Sequence, residues 1–110
     1  MRIATGNYKI VEMFYNSNIV FLVGNSDNPN SKYSNKKVLI WNDYKCEEEG
    51  EMCFKEKIQN IKIRTTSKRN LLIVVLYNKI YIFNFPSFEL MTTFDTFPNP
   101  EGSIYNIQVY

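Results

Sequence analysis

The 110-residue chain has no histidine. That removes Ser-His-Asp and Cys-His catalysis, histidine-ligated metals and histidine pH switches, while carboxylate acid–base chemistry stays formally open. Cysteine is scarce. Cys46 and Cys53 are the only two, and two thiols without a second ligand pair do not make a zinc site. They flank Glu47-Glu48-Glu49-Gly50-Glu51, a spacing that lets them face each other across a hairpin, so a disulfide stays open from spacing alone. No apolar run approaches the roughly 18 residues that span a bilayer. Met1-Arg2-Ile3-Ala4 carries no apolar leader core, so a cytoplasmic, reducing location with free thiols is expected. The net charge is only +2, and the basic residues are scattered, with doublets at Lys36-Lys37 and Lys68-Arg69 alone. Nucleic acid is therefore not an expected partner. No nucleophile–base pair or glycine-rich phosphate loop is present, so neither an enzyme nor a cofactor is expected.

What is present is ordinary globular composition, 45% apolar and 22% charged, which argues against disorder. It is also organised as a loose repeat. Lys37-Val38-Leu39-Ile40-Trp41-Asn42 returns as Lys79-Ile80-Tyr81-Ile82-Phe83-Asn84, 42 positions on. Gln59-Asn60-Ile61-Lys62-Ile63 returns as Tyr105-Asn106-Ile107-Gln108-Val109, 46 positions on. Self-similarity at about 40–45 residues in short strands is the pattern of β-propeller blades, each a four-stranded antiparallel sheet. The expected fold is all-β, a partial propeller of about two blades. Residues 8–56 form the first, 57–97 the second and 98–110 the start of a third. A ring takes about four to eight blades, so a piece of a longer protein is expected.

The runs 19–23 and 71–76 are apolar without alternation and read as strands buried on both faces, in sheets expected to stack. Residues 11–15, 38–41 and 52–54 complete the first blade; 58–64, 80–83 and 90–95 complete the second; 104–109 opens the third. Ile61 and Ile63 alternate with Lys62 and Arg64, the half-buried pattern. Tyr77-Asn78 is a two-residue hairpin connection. Residues 46–62 also carry spacings a helix can use, but Gly50 costs a helix about 1 kcal/mol relative to Ala, which favours strand and loop. The glutamate run reads as a solvated turn, and Lys68-Arg69 as a turn rather than a lipid contact. Trp41 with Asp43 reads as a packed third-strand Trp. Tyr77, Tyr81, Phe83, Phe85, Phe88, Phe94 and Phe97 read as core or blade packing rather than base stacking.

The succession Ile10-Val11-Glu12-Met13, Asn18-Ile19-Val20-Phe21-Leu22-Val23-Gly24, Lys37 to Asp43, Asn78 to Phe85 and Asp95-Thr96-Phe97-Pro98-Asn99-Pro100-Glu101-Gly102 resembles the PROPPIN family over nearly the whole chain. These are seven-bladed WD-repeat-like propellers that bind phosphoinositides in autophagy. The resemblance implies the second and third blades and the start of the fourth, in the branch that works with the large autophagic lipid-transfer protein. The family's lipid motif is an arginine pair followed by glycine in later blades. No Arg-Arg pair occurs here, so no lipid-binding residue is assigned to this chain. Membranes carrying phosphatidylinositol 3-phosphate would be met only through other blades. The resemblance implies a cytoplasmic protein, peripheral on autophagic or endosomal membranes.

In the family, loops and grooves of these blades recognise the lipid-transfer partner. The matching loop runs from Asn25 to Lys36, with Asn25-Ser26-Asp27 where the family pattern is glycine-rich. The candidate partner-binding residues are Asn28, Pro29, Lys32 and Lys36. Two alternatives stand beside this reading: an asparagine-rich solvated insertion, and a small self-associating β-domain that acts only as a protein-interaction module.

Overall fold

The computed structural model describes residues 8–14, 17–28, 30–85 and 87–95. The chain divides into two compact units, Met1–Ile58 and Gln59–Tyr110. In the first, β1 (Tyr8–Met13), β2 (Ile19–Gly24), β3 (Lys37–Asn42) and β4 (Glu47–Cys53) form an antiparallel meander in chain order. The second meander is β5 (Ile58–Thr65), β6 (Asn70–Leu76), β7 (Lys79–Phe85) and β8 (Glu89–Asp95). Two all-β sheets of four antiparallel strands are the blades expected from the repeat.

The core follows the apolar runs. In β2, Val20, Phe21, Leu22 and Val23 are buried on both faces, and in β6 every residue from Leu71 to Leu76 is buried. Fully burying such a side chain is worth about 1.5–3 kcal/mol. Val20, Leu22 and Leu39 form one cluster, flanked by Tyr8, Val11 and Trp41. Leu71, Ile73, Val75, Ile80 and Ile82 form its counterpart in the second unit. Trp41 packs in β3 as expected, and its Nε1 donates to Asp43 Oδ1 at 3.2 Å.

The 42-residue repeat extends to backbone irregularities. The β3–β4 ladder shifts register at Ile40/Trp41 and the β7–β8 ladder at Ile82/Phe83. The residue entering each outer strand has a positive φ: Cys46 at 56° and Phe88 at 57°. Left-handed backbone at a residue with a Cβ is costly, and the two turns meet that cost at the same point.

Three expectations change. The outer strand of the first sheet starts at Glu47, so the glutamates lie along a strand rather than in a turn. Charge on an edge strand deters further pairing, which is why such a run is tolerated there. Segment 46–62 is strand and connection as expected, with Gly50 inside β4. Cys46 and Cys53 lie at opposite ends of that same strand, so extended backbone separates them by about 20 Å, far beyond disulfide reach. Both are exposed thiols outside any disulfide. The expected first strand ends at Met13, and Tyr15 lies outside the described residues, as do Phe97 and the expected strand 104–109.

The strain at Cys46 is testable. Cys46→Gly is expected to stabilise the protein by about 0.5–1 kcal/mol, because glycine adopts positive φ freely. Cys46→Val is expected to destabilise it. Urea unfolding of both variants measures the pair.

Candidate functional site

The units differ most between their second and third strands. β6 and β7 are joined by Tyr77-Asn78 alone, whereas β2 and β3 are joined by residues 25–36. A long insertion on a rigid hairpin is where function concentrates. Here the insertion is folded onto the blade.

Its entry depends on Gly24. A Cβ on that residue would lie 1.8 Å from the Tyr33 carbonyl oxygen, so only glycine lets the returning chain pass. Ser26 N then donates to Tyr33 O at 2.9 Å, and Asn35 N donates to Ser26 O at 2.8 Å, closing a short parallel bridge between Ser26 and Ser34. Between these points the loop supplies its own acceptors. Ser26 Oγ accepts from Asn28 N at 3.1 Å, Asn28 Oδ1 from Asn30 N at 3.0 Å, and Ser31 Oγ from Tyr33 N at 3.0 Å. Such Asx and Ser turns replace the ladder bonds the loop lacks.

The base of the loop is buried. Ser34 is 1% and Asn35 2% exposed. Tyr33 packs edge-to-face on Tyr8, ring centroids 5.3 Å apart. Asn35 Nδ2 donates to Asp27 Oδ1 at 2.7 Å, and Ile58 N donates to Asn35 O at 2.8 Å. The Asn35 Oδ1 is buried without a hydrogen-bond donor among the described residues. Lys9 is the extra residue where the β1–β2 register shifts between Tyr8 and Ile10. A bulge re-aims its side chain, and Lys9 Nζ donates to the Ile58 carbonyl. One polar cluster thus joins β1, the loop and Ile58, the last residue of the first unit.

Burial, reinforced by Lys57, pushes the Lys9 pKa from 10.5 down to about 8, against a smaller opposing pull from Asp27. Burial, then Tyr33 and Glu48, raises the Tyr8 phenol.

The four expected partner-binding residues fall in different settings. Asn28 is exposed, but its side chain holds the turn to Asn30. Pro29 lies outside the described residues. Lys32 is exposed, its ammonium 5.6 Å from the centroid of the Tyr33 ring. Lys36 is half-buried, with its carbonyl accepting from Phe54 N at 2.8 Å. Lys32 therefore stands on the surface of the folded loop, while Asn28 and Lys36 also build it. Sequence reasoning missed Gly24, Asp27, Tyr33 and Asn35. The available signal was Gly24 closing an apolar strand and the Ser/Asn residues recurring every few positions.

Two outcomes follow. Gly24→Ala is expected to cost about 1–3 kcal/mol, because a backbone atom must move, and to separate the Tyr8 and Tyr33 rings, read by aromatic NMR shifts. For Lys9, the unfolded chain holds its proton more tightly than the folded one. Between about pH 8 and 10 it carries more protons, and stability rises with pH. Tyr8 acts oppositely above its usual 10.0, where the folded state keeps the proton longer. Denaturation from pH 7.5 to 10 is expected to show this rise in the parent and its loss in Lys9→Met.

The chain is 34% identical over 95 residues to autophagy-related protein 18e of Arabidopsis thaliana, covering 86% of this chain and 24% of that protein. It is 33% identical over 98 residues to autophagy-related protein 18 of Saccharomyces cerevisiae, covering 89% of this chain and 18% of that one. Hsv2 of Kluyveromyces marxianus superposes with a TM-score of 0.61 at 18% identity, over 81% of this chain and 26% of the other. For Hsv2 of Kluyveromyces lactis the TM-score is 0.57 at 16% identity, over 78% and 23%. The structural likeness is one of fold. No family model matches the chain. The chain spans a quarter or less of the length of the curated relatives it matches.

Proposed function

The chain belongs to the PROPPIN family, and on that premise we propose that it is part of an autophagy scaffold propeller that recruits a lipid-transfer partner to phosphoinositide-marked membranes. The observation that carries the reading is the loop of residues 25–36, folded by its own hydrogen bonds and presenting Lys32 on its surface. A loop already ordered loses less entropy when a peptide docks on it. Its exposed charge suits an acidic segment of the partner and acts mainly on association rate.

The same reading divides the labour. The blades of this chain hold the loop, and phosphatidylinositol 3-phosphate is met through blades outside it, since no Arg-Arg pair lies within. The role is that of a scaffold, not an enzyme, placed in the cytoplasm and on autophagic or endosomal membranes while bound.

Charge reversal tests this on the intact protein. Lys32→Glu is expected to slow association with the lipid-transfer partner about three- to tenfold, with a weaker salt dependence, and to leave binding to phosphatidylinositol 3-phosphate liposomes unchanged. Surface plasmon resonance at two salt concentrations and liposome sedimentation read the two arms. An unchanged association rate would place the partner contact elsewhere on the blades.

A further inference from the structure

The two sheets end differently. The outer strand β4 carries Glu47, Glu48, Glu49 and Glu51, the charged edge by which sheets avoid further pairing. The outer strand β8 carries no such run of charge, although the register shift opposite Ile82/Phe83 leaves Met91 as an extra residue within it. Leu90-Met91-Thr92-Thr93-Phe94 is five uncharged residues, and every residue of β8 is exposed. Leu90 is 50%, Met91 42% and Phe94 43% exposed. The sheet order ends at β8, so its outer backbone groups pair with no other described strand. The ends of the strand are acidic, Glu89 and Asp95. Lys79 reaches Asp95 from β7 at 3.8 Å, yet leaves that side chain 88% exposed.

Two physical arguments select the occupant. In an antiparallel pairing of two copies about Thr92, Glu89 meets Asp95 at both ends; in a parallel pairing each acid meets its own kind. Like charges facing across strands are destabilising. A seven-residue strand also falls well short of the roughly 20–30 residues a side that a stable dimer takes. A short segment of another protein has neither problem if it is basic where β8 is acidic. We propose that the outer edge of β8 is a strand-addition site for an extended peptide with a Lys or Arg at each end, six positions apart, and uncharged β-forming residues between them. Main-chain hydrogen bonds supply the attachment, and the two end charges set the register. The site is built from residues of the second unit and the loop from residues of the first, so the two proposals are tested by different residues and fail independently.

The test uses the intact protein and a labelled peptide, Lys-Thr-Val-Thr-Val-Thr-Lys, followed by fluorescence anisotropy. Saturable binding is expected, about tenfold weaker for the same peptide ended by glutamates. The double variant Glu89→Lys, Asp95→Lys, its fold checked by circular dichroism, is expected to reverse that preference. N-methylation of alternate peptide amides is expected to abolish binding. Four results would overturn the proposal. They are no saturable binding, indifference to N-methylation, an unreversed preference, or a concentration-dependent dimer in sedimentation that the double variant disperses. The last would make the occupant a second copy.

Discussion

Val20 and Leu22 on one face of β2, and Phe21 and Val23 on the other, leave that strand no stable place except the interior of a sheet covered on both sides. The same holds for β6 from Leu71 to Leu76. Each unit is built outward from such a strand: partly exposed strands beside it, and at the far edge a strand whose side chains are mostly in water. The centre of each blade is committed to packing, and the exposed side chains stand at loops and edges.

The loop of residues 25–36 shows how an edge feature becomes structured without a core of its own. Gly24 permits the crossing, Ser26 and Asn35 close it, and Tyr33 and Asn35 seat it. Serine and asparagine would be poor choices inside a strand. At this position their short polar side chains supply the acceptors that strand pairing would otherwise provide. The serine- and asparagine-rich composition is thus the means by which the loop folds.

Much of the fold was legible. Periodicity marked β2 and β6 because burial on both faces erases polar alternation, and the 42-residue echo of Lys37–Asn42 in Lys79–Asn84 tied the sheets to one template. The start of β4 was not legible. Four glutamates read as a turn by composition, yet an exposed edge strand accepts them since its side chains face water. The facing of the two cysteines across a hairpin, which their spacing left open, fails for the same reason: once Glu47 to Met52 extends, Cys46 and Cys53 are carried apart, and both keep the thiols that were expected. At the loop, Asn28, Lys32 and Lys36 were found as residue types. The roles of Gly24 and Asn35 depend on backbone atoms meeting across the loop, which no local pattern encodes.

The central claim is that this insertion is a preformed surface. Hydrogen exchange followed by NMR on the intact protein, without partner, tests it most directly. The amides of Ser26 and Asn35, bonded to Tyr33 O and Ser26 O at 2.9 and 2.8 Å, should exchange far more slowly than an unstructured chain and close to the rate of the adjoining β2 amides. Exchange at the unstructured rate at both positions would contradict the account.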